Sequence, residues 1–388
     1  MVLELSAPVS TRRVGAAVAA AGVSSFALLY APQPVLPQLA TAFQLDPGGA
    51  SLAIGVATTA LALAVLPLAA LSERVDRRQI IVCSVIASAV LGLLLPLAPS
   101  FPVLLVMRAL QGVAIAGFPG VAAAYLADQV GTARLPSAVG AMIAGNSVGG
   151  MLGRLGAGFA AGPLGWHGAL LVVAGVSLVC AVFAAATLPP SQRTPHPGDG
   201  GERTRLGARL LAPYTVAVLG MGAFIALYNA AGFRLAAPPI GLAPAAASLV
   251  FLSYAMGTVS SAAAGRLVRR LGQSAALVTS LAATAAGAAL TVSDALPLMA
   301  LGFAVLTAGF FAAHAIANAW VAAEAPPRAR GRASGLYTLC YYLGSGAGGT
   351  VGSAVYGRFG WGWLIVLTVG WLLVGVAAVL TAARRPIS

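Results

Sequence analysis

Long apolar runs separated by short polar segments recur along the 388-residue chain. Each run is close to the roughly 20 residues that a helix needs to cross a bilayer. The runs are rich in Ala, Leu and Gly and lack the strict alternation typical of membrane strands, so they predict helices. We predict twelve membrane-spanning helices, at residues 14–39, 49–70, 79–98, 100–125, 134–160, 165–188, 212–236, 246–264, 275–294, 295–322, 334–357 and 360–382.

One long polar segment separates the first six runs from the last six. It reads PPSQRTPHPGDGGERTRLGAR from Pro189 to Arg209, and its Pro, Gly and charged residues are typical of a flexible linker. We therefore expect a six-helix bundle over residues 1–188, a cytoplasmic linker over 189–211 and a second six-helix bundle over 212–388.

The two predicted bundles repeat short stretches of sequence at a nearly constant offset. LSERVDRR begins at Leu71, and LVRRLG begins 196 residues later at Leu267. GGMLG begins at Gly149, and GGTVG begins 199 residues later at Gly348. Matches at one offset indicate a duplicated six-helix unit. Such repeats are typical of transporters, whose substrate site lies between the repeats near the middle of the membrane.

Composition narrows the class of protein. Hydrophobic residues make up 59% of the chain and charged residues only 8%, against about a quarter charged in soluble domains. All 22 basic residues are Arg, so the chain has no lysine for Schiff-base chemistry or for an ATP-binding phosphate loop. Its three Cys do not have metal-ligand spacing. We therefore expect no metal, no cofactor and no enzymatic activity.

The positions of the arginines explain why the chain carries a net charge of +13. With the N-terminus inside, 18 of the 22 lie in segments on the inner side, as the positive-inside rule requires. This pattern predicts a multi-pass protein of the bacterial inner membrane with both termini in the cytoplasm. Anionic lipid of the inner leaflet explains the charge without a nucleic-acid partner. We expect a monomer in the bilayer.

Three stretches resemble signatures of the major facilitator superfamily. AALSERVDRRQII, from Ala69, is similar to its signature between spans 2 and 3, and LLVMRALQGVAIAG, from Leu104, to its fourth-helix signature. GNSVGGMLGR, from Gly145, resembles the fifth-helix motif of the drug:proton antiporter branch, although Gly150 and Arg154 replace its proline and last glycine.

This resemblance covers the whole chain and extends to the bacterial inner-membrane efflux group named for acriflavine sensitivity. It implies an all-α fold of two pseudo-symmetric six-helix bundles. It also implies proton-driven export of a small molecule by alternating access.

The charges between spans 2 and 3 have two interpretations. The resemblance implies a gating latch, in which the acid Glu73 faces the N-terminal end of span 11, because a helix N-terminus attracts a carboxylate. The alternative is a solvated cluster that sets the topology. The candidate gating residues are Glu73, Arg74, Asp76, Arg77 and Arg78.

Proton coupling lacks its usual carrier in this sequence. The nine acidic residues all fall in predicted loops or at span ends, so no carboxylate is expected in mid-membrane. His314 in span 10 and Asp128 at the end of span 4 are the candidate proton-coupling residues, because histidine titrates near neutral pH. A neutral packing role is the alternative for His314.

Two arginines, Arg108 and Arg154, lie within predicted spans 4 and 5. A central arginine costs roughly 2.5–3.5 kcal/mol on insertion scales, so both should face the bundle or a wet cavity. With no acid in mid-span, we expect carbonyls, hydroxyls, amides, water or substrate as partners, with Gln111, Tyr30 and Gln33 as candidates for Arg108. Either the arginines tie spans 1, 4 and 5 together, or they bind an anionic substrate.

Aromatic and amide side chains of both halves predict a mostly apolar substrate pocket with few polar groups. The candidate substrate-binding residues are Arg108, Gln111, Tyr30, Asn146, Arg154, Tyr228, Asn229, His314, Asn318, Tyr337 and Tyr341.

Two transport functions fit this pattern. The first is proton-coupled export of small drug-like or metabolite compounds. The second is a uniporter or antiporter of a small organic or inorganic anion bound through Arg108 and Arg154. A membrane sensor on the same scaffold is a third alternative, which would be expected to carry an extra soluble domain.

Overall fold

A computed structural model describes residues 11–191, 207–326 and 329–384. These residues are almost entirely helical, and no strand occurs among them. Most of the predicted linker, residues 192–206, lies outside the described residues. The helices are α1 (Thr11–Tyr30), α2 (Leu36–Phe43), α3 (Pro47–Leu71), α4 (Arg77–Leu94), α5 (Phe101–Thr187), α6 (Leu211–Ala236), α7 (Pro244–Ser248), α8 (Tyr254–Leu271), α9 (Gln273–Leu290), α10 (Leu296–Glu324), α11 (Arg330–Leu343), α12 (Gly349–Phe359) and α13 (Trp361–Ala383).

Helix α5 contains predicted spans 4, 5 and 6 in one continuous helical run. A straight helix of its 87 residues would be about 130 Å long. It folds back instead, because the neighbouring residues Ala27 and Leu28 of α1 contact Gly153 and Arg108, which are 45 positions apart in α5. The three predicted spans are therefore joined by residues that keep a helical conformation through the reversals.

The two reversals of α5 divide it into three legs. We call residues 101–130 the first leg, 137–164 the second leg and 166–187 the third leg. Gly165, between the second and third legs, has a φ of +63°, a value that side-chain-bearing residues rarely adopt.

Ten helices of the described residues are long and apolar enough to cross a membrane. One of them, Ser137–Thr187, has 51 residues and would extend for about 76 Å, enough for two crossings. Helices α11 and α12, joined by the π-helical turn Gly344–Gly348, form one further run. The ten helices, the second crossing within Ser137–Thr187 and the α11–α12 run together give the twelve predicted spans.

The two ends of the helical assembly are distinguished by their contacts. At one end the Tyr125 hydroxyl donates to the Pro189 carbonyl oxygen over 2.7 Å, beside the described edge of the linker, and we call it the linker end. At the opposite end, the far end, the ring of Phe43 lies 5.7 Å from that of Trp166.

Glycines hold the second leg against α1. A Cβ atom on Gly145, Gly149 or Gly153 would overlap the backbone of Ala19, Val23 or Ala27, respectively. The three glycines repeat every four residues and so form one face, which lets the two backbones approach closely.

The first and second halves of the chain meet along α3. A Cβ on Gly48 would lie 2.9 Å from the Ala354 Cβ at the far end, and one on Gly55 would lie 3.1 Å from the Gly346 carbonyl oxygen. At the linker end, Gly335 of α11 packs against the Leu66 side chain. Helix α3 therefore contacts the α11–α12 run over most of its length.

Candidate functional site

Arg108 is fully buried, and its guanidinium group donates hydrogen bonds to carbonyl oxygens of the first half. Its Nε donates to Ala53 O over 2.7 Å, Nη2 to Leu29 O over 2.6 Å and Nη1 to Leu28 O over 3.2 Å. Nη1 also bonds Gln111 Oε1. All three nitrogens thus have partners in α1, α3 and α5, which favours the structural interpretation of Arg108.

Arg154 is also buried, with 1% of its surface exposed, but it lies where the two halves meet. Its guanidinium carbon is 3.9 Å from the centroid of the Tyr30 ring in the first half. In the second half, the centroids of Tyr254 and Phe251 are 4.4 Å and 5.5 Å away. We call Arg154 and these three rings the arginine cage.

Amides extend the arginine cage into the second half. Arg154 Nη1 donates to Gly150 O over 2.7 Å, and Nε donates to Gln33 Oε1. Gln33 Nε2 in turn donates to Asn229 Oδ1 of α6 over 2.7 Å. Asn229 Nδ2 and Tyr254 Oη are buried and have no hydrogen-bond partner in the structure.

The position of Gln33 follows from a break in the first predicted span. Helix α1 ends at Tyr30, and the prolines around Gln33 replace the helix by a 3₁₀ turn over Gln33–Val35. Gln33 is 1% exposed in this turn. The break in the helix therefore lies beside the arginine cage, and the Gln33 side chain in its turn is buried against Arg154.

A second cluster, which we call the histidine cluster, lies within the second half. His314 Nδ1 is 2.9 Å from the Tyr337 hydroxyl, and its ring centroid is 4.6 Å from that of Tyr341. These residues and Phe310 line a cavity of about 10 Å³, room for roughly one water molecule. Tyr228 lies beside the arginine cage instead, with its ring centroid 5.0 Å from that of Tyr254 and 5.7 Å from that of Phe251. Its hydroxyl is 2.6 Å from Thr307 Oγ1.

The two remaining candidate amides do not join either cluster through a described hydrogen bond. Asn146 Oδ1 is buried without a partner next to Gly22 of α1. Asn318 is exposed on α10, although it lies one turn from the partly buried His314. His314 and Asn318 therefore differ in their environment, although their spacing along α10 places them on one face.

The charged residues between α3 and α4 tie the first half together at the linker end. Asp76 caps α4 by accepting from the Arg78 backbone N–H over 2.7 Å. Arg77 forms an ion pair with Asp128 of the first leg. Arg78 Nε donates to Leu188 O over 2.8 Å.

Glu73 and Arg74 are exposed in the turn before Asp76. Helix α11 contacts α3 about two helical turns before this turn, where Gly335 packs against Leu66. A gating role for these residues and a proton-coupling role for Asp128 both stay predictions.

Sequence reasoning missed part of the arginine cage. It named Gln33 as a candidate partner of Arg108, whereas in the structure Gln33 accepts a hydrogen bond from Arg154. It did not single out Phe251 or Tyr254. Their spacing of three residues on one side of predicted span 8 is a signal that could have found them, since i and i+3 share a helical face.

Comparisons with known proteins agree with this architecture. The sequence matches the Major Facilitator Superfamily over residues 18–233 and 216–388. It is 35% identical over 372 residues to the MFS-type transporter YybF of Bacillus subtilis (strain 168), covering 94% of this chain and 92% of YybF. It is 34% identical over 357 residues to the inner membrane transport protein YnfM of Escherichia coli (strain K12), covering 90% of this chain and 85% of YnfM.

A solved structure shows the same fold at low identity. A bacterial homologue of the human lysosomal transporter Spinster, in an inward-facing and occupied conformation, superposes with a TM-score of 0.83. The superposition covers 98% of each chain, and the two sequences are 17% identical. The likeness concerns the fold alone.

The chain belongs to the Major Facilitator Superfamily. It is a multi-pass membrane transporter with a small-molecule substrate, and the predicted all-α fold and transporter class are confirmed. The drug:proton antiporter branch, the coupling ion and the substrate stay predictions.

Proposed function

We propose that the protein exports small, mostly apolar compounds across the inner membrane by alternating access. The observation that carries this proposal is the arginine cage, in which side chains of both halves enclose a polar group within an aromatic layer. A site shared by two halves changes its exposure when they rock against each other. The predicted orientation places the linker end in the cytoplasm.

A contact between the second leg and α7 supports closure on the far side. A Cβ on Gly158 would overlap the Ser248 side chain of α7 near the far end. Toward the linker end, Gly140 of the second leg has open space at its Cβ position, and Val259 of α8, the helix that follows α7, is 63% exposed. This asymmetry is consistent with a site that is closed on the far side.

Protons are the coupling ion in this proposal, and His314 is the residue proposed to carry them. It is the one histidine among the candidate residues, and it lies beside a cavity that fits a water molecule. Transport in proteoliposomes with an imposed pH gradient tests this role. We expect the gradient to accelerate transport by the wild type and to have no effect on His314→Gln; equal acceleration of both would remove His314 from the mechanism.

Anion transport is the second candidate, and it now rests on Arg154 alone, since Arg108 is engaged by carbonyls. A pH gradient at zero membrane potential distinguishes the two candidates, because it drives proton-coupled export and does not drive an anion uniporter. An anion uniporter responds to a potassium-diffusion potential without a pH gradient, because moving one charge through 100 mV changes its free energy by about 2.3 kcal/mol. Export of a neutral compound in exchange for a proton also moves one charge per cycle, so the potential by itself does not separate the two candidates.

A further inference from the structure

We propose that Arg154, Asn229 and Tyr254 bind an anionic group on the transported compound. This inference rests on the proposed transport function and names the chemical class of its substrate, a small aromatic or otherwise flat organic anion. It follows from an excess of buried hydrogen-bond donors in the arginine cage.

The hydrogen bonds fix the direction in which each amide points. Arg154 Nε can only donate, so the Gln33 atom that faces it must be the acceptor Oε1. The other Gln33 atom, Nε2, must then donate, and Asn229 answers with its acceptor Oδ1 over 2.7 Å. The positive charge of Arg154 thus determines that Asn229 is left with its Nδ2 donors unused.

These donors are buried and lack acceptors. Asn229 is 1% exposed, and its Nδ2 faces Gly349, where an added Cβ would lie 3.0 Å away. Tyr254 Oη is also buried without a partner. An unpaired buried donor costs free energy, and a buried cation without a counter-charge costs more. An anionic group that enters the cage would offer an acceptor to these donors and a counter-charge to Arg154.

The protein itself supplies no such anion among its described residues. The acids in that part of the chain all lie at helix ends: Asp46, Glu73, Asp76, Asp128, Asp294 and Glu324. Among them, Asp294 pairs with Arg234 over 2.9 Å and Glu324 with Arg209 over 3.5 Å. No contact of these carboxylates with Arg154 is described, and its described partners are aromatic rings and neutral acceptors. An anionic ligand would therefore supply the counter-charge.

The walls of the cage favour a flat, apolar body for that ligand. Tyr30 comes from the first half, and Phe251 and Tyr254 come from the second. Aromatic faces bind both a guanidinium group and an aromatic ligand ring. Separation of the halves would withdraw two of the three rings from Arg154 and open its face to such a compound.

The test uses two probes of nearly equal shape and different charge. Benzenesulfonate is a permanent anion, and benzenesulfonamide is its neutral counterpart. Binding of each to the purified full-length protein in neutral detergent is measured by isothermal titration calorimetry. We expect benzenesulfonate to bind roughly tenfold or more tightly, the effect of a charge-assisted hydrogen bond.

Two variants address the site. Arg154→Gln removes the positive charge, and Gln33→Glu keeps the side-chain shape but places a carboxylate against Arg154. We expect both to lower the affinity for benzenesulfonate by about tenfold or more. The matched control is Gln44→Glu, which makes the same chemical change at an exposed position between α2 and α3 and should preserve binding.

Equal affinities of the wild type for the two probes would overturn the inference, and so would full binding of benzenesulfonate to Gln33→Glu. Failure of the proposed function looks different. In that case the wild type would carry out no transport in proteoliposomes, whereas failure of the inference alone would leave transport intact without preference for the anion.

Discussion

Arg108 and Arg154 belong to the same helical run and are both buried, yet their surroundings differ. Carbonyl oxygens of α1 and α3 surround Arg108, all from one half of the protein. Aromatic rings from both halves, the Gln33 amide and a single carbonyl oxygen, that of Gly150, surround Arg154. The same residue type at a similar depth therefore serves to hold one half together in the first case and to face the other half in the second.

The difference teaches how an arginine is tolerated inside a membrane. Carbonyl oxygens and the Gln111 side chain engage every guanidinium nitrogen of Arg108, which makes its environment rigid and specific. Rings attract the cation of Arg154 without occupying all its donors, so these contacts can be broken and remade. Only the second arrangement is suited to a group that has to exchange partners during transport.

Removing Arg108 tests the structural side of the comparison and has the largest expected effect. Arg108→Leu leaves the Ala53, Leu28 and Leu29 carbonyl oxygens without this donor and should lower the free energy of unfolding by about 3–5 kcal/mol. Unfolding in mixed micelles with increasing dodecyl sulfate measures it. The control Arg358→Leu, at an exposed site, should change little; similar losses in both variants would contradict the role given to Arg108.

Moving the second leg away from α1 tests how Arg154 is positioned. A Cβ on Gly153 would overlap the Ala27 backbone, so Gly153→Ala should cost about 1–3 kcal/mol of stability and weaken the contact of Arg154 with Tyr30. Gly162→Ala is the matched control, because that glycine has no atom near its Cβ position in the same leg. Thermal unfolding in detergent compares the two variants, and equal melting temperatures would refute the packing argument.

Replacing the ring of Tyr254 tests the aromatic side of the arginine cage. Tyr254→Leu removes the ring, and we expect a loss of about 1–2 kcal/mol of stability, the size of a desolvated cation–π interaction. Tyr254→Phe keeps the ring and removes only a hydroxyl that has no partner, so it should stay close to the wild type. A loss in Tyr254→Phe as large as in Tyr254→Leu would assign the effect to the hydroxyl instead.

The ion pair of Arg77 with Asp128, at the linker end, provides a partly exposed charged contact to compare with the buried Arg108. Its side chains are 27% and 11% exposed, so water screens the pair. Asp128→Asn should therefore lower the free energy of unfolding by only about 0.2–1 kcal/mol, and high salt should reduce the difference. A loss as large as that of Arg108→Leu would show that the linker end contributes as much to stability as the buried arginine.

Much of the fold could be predicted from the pattern of residues. The long apolar runs indicate helices because lipid offers no partner for a free backbone N–H or C=O group. The glycines at 145, 149 and 153 indicate a close helix contact, and the structure places α1 there. The prediction of spans 4, 5 and 6 implies the reversals inside α5, but the sequence did not show that the chain keeps its helical hydrogen bonds through them.

The candidate site was predicted in its members but not in its grouping. Tyr30, Arg154 and Asn229 do come together, and Tyr228 packs beside them on Tyr254. His314, Tyr337 and Tyr341 form a second cluster, which the stacked rings of Phe310 and Phe224 link to the arginine cage. Asn318 shares a helical face with His314 by spacing and is nevertheless exposed. The spacing of residues along a helix predicts which face a side chain lies on, but the packing of the neighbouring helices determines what that side chain contacts.

The sequence by itself determined that this is a helical membrane transporter with two arginines buried in its spans. Hydrophobic length and the repeat decide those properties, because they depend on residues close together in the chain or on a simple offset. Only the tertiary structure decided which arginine meets which partners. Arg154 reaches Gln33 across 121 residues, and Gln33 reaches Asn229 across 196. Such contacts depend on how the helices pack, and that packing sets Arg154, rather than Arg108, at the junction of the two halves.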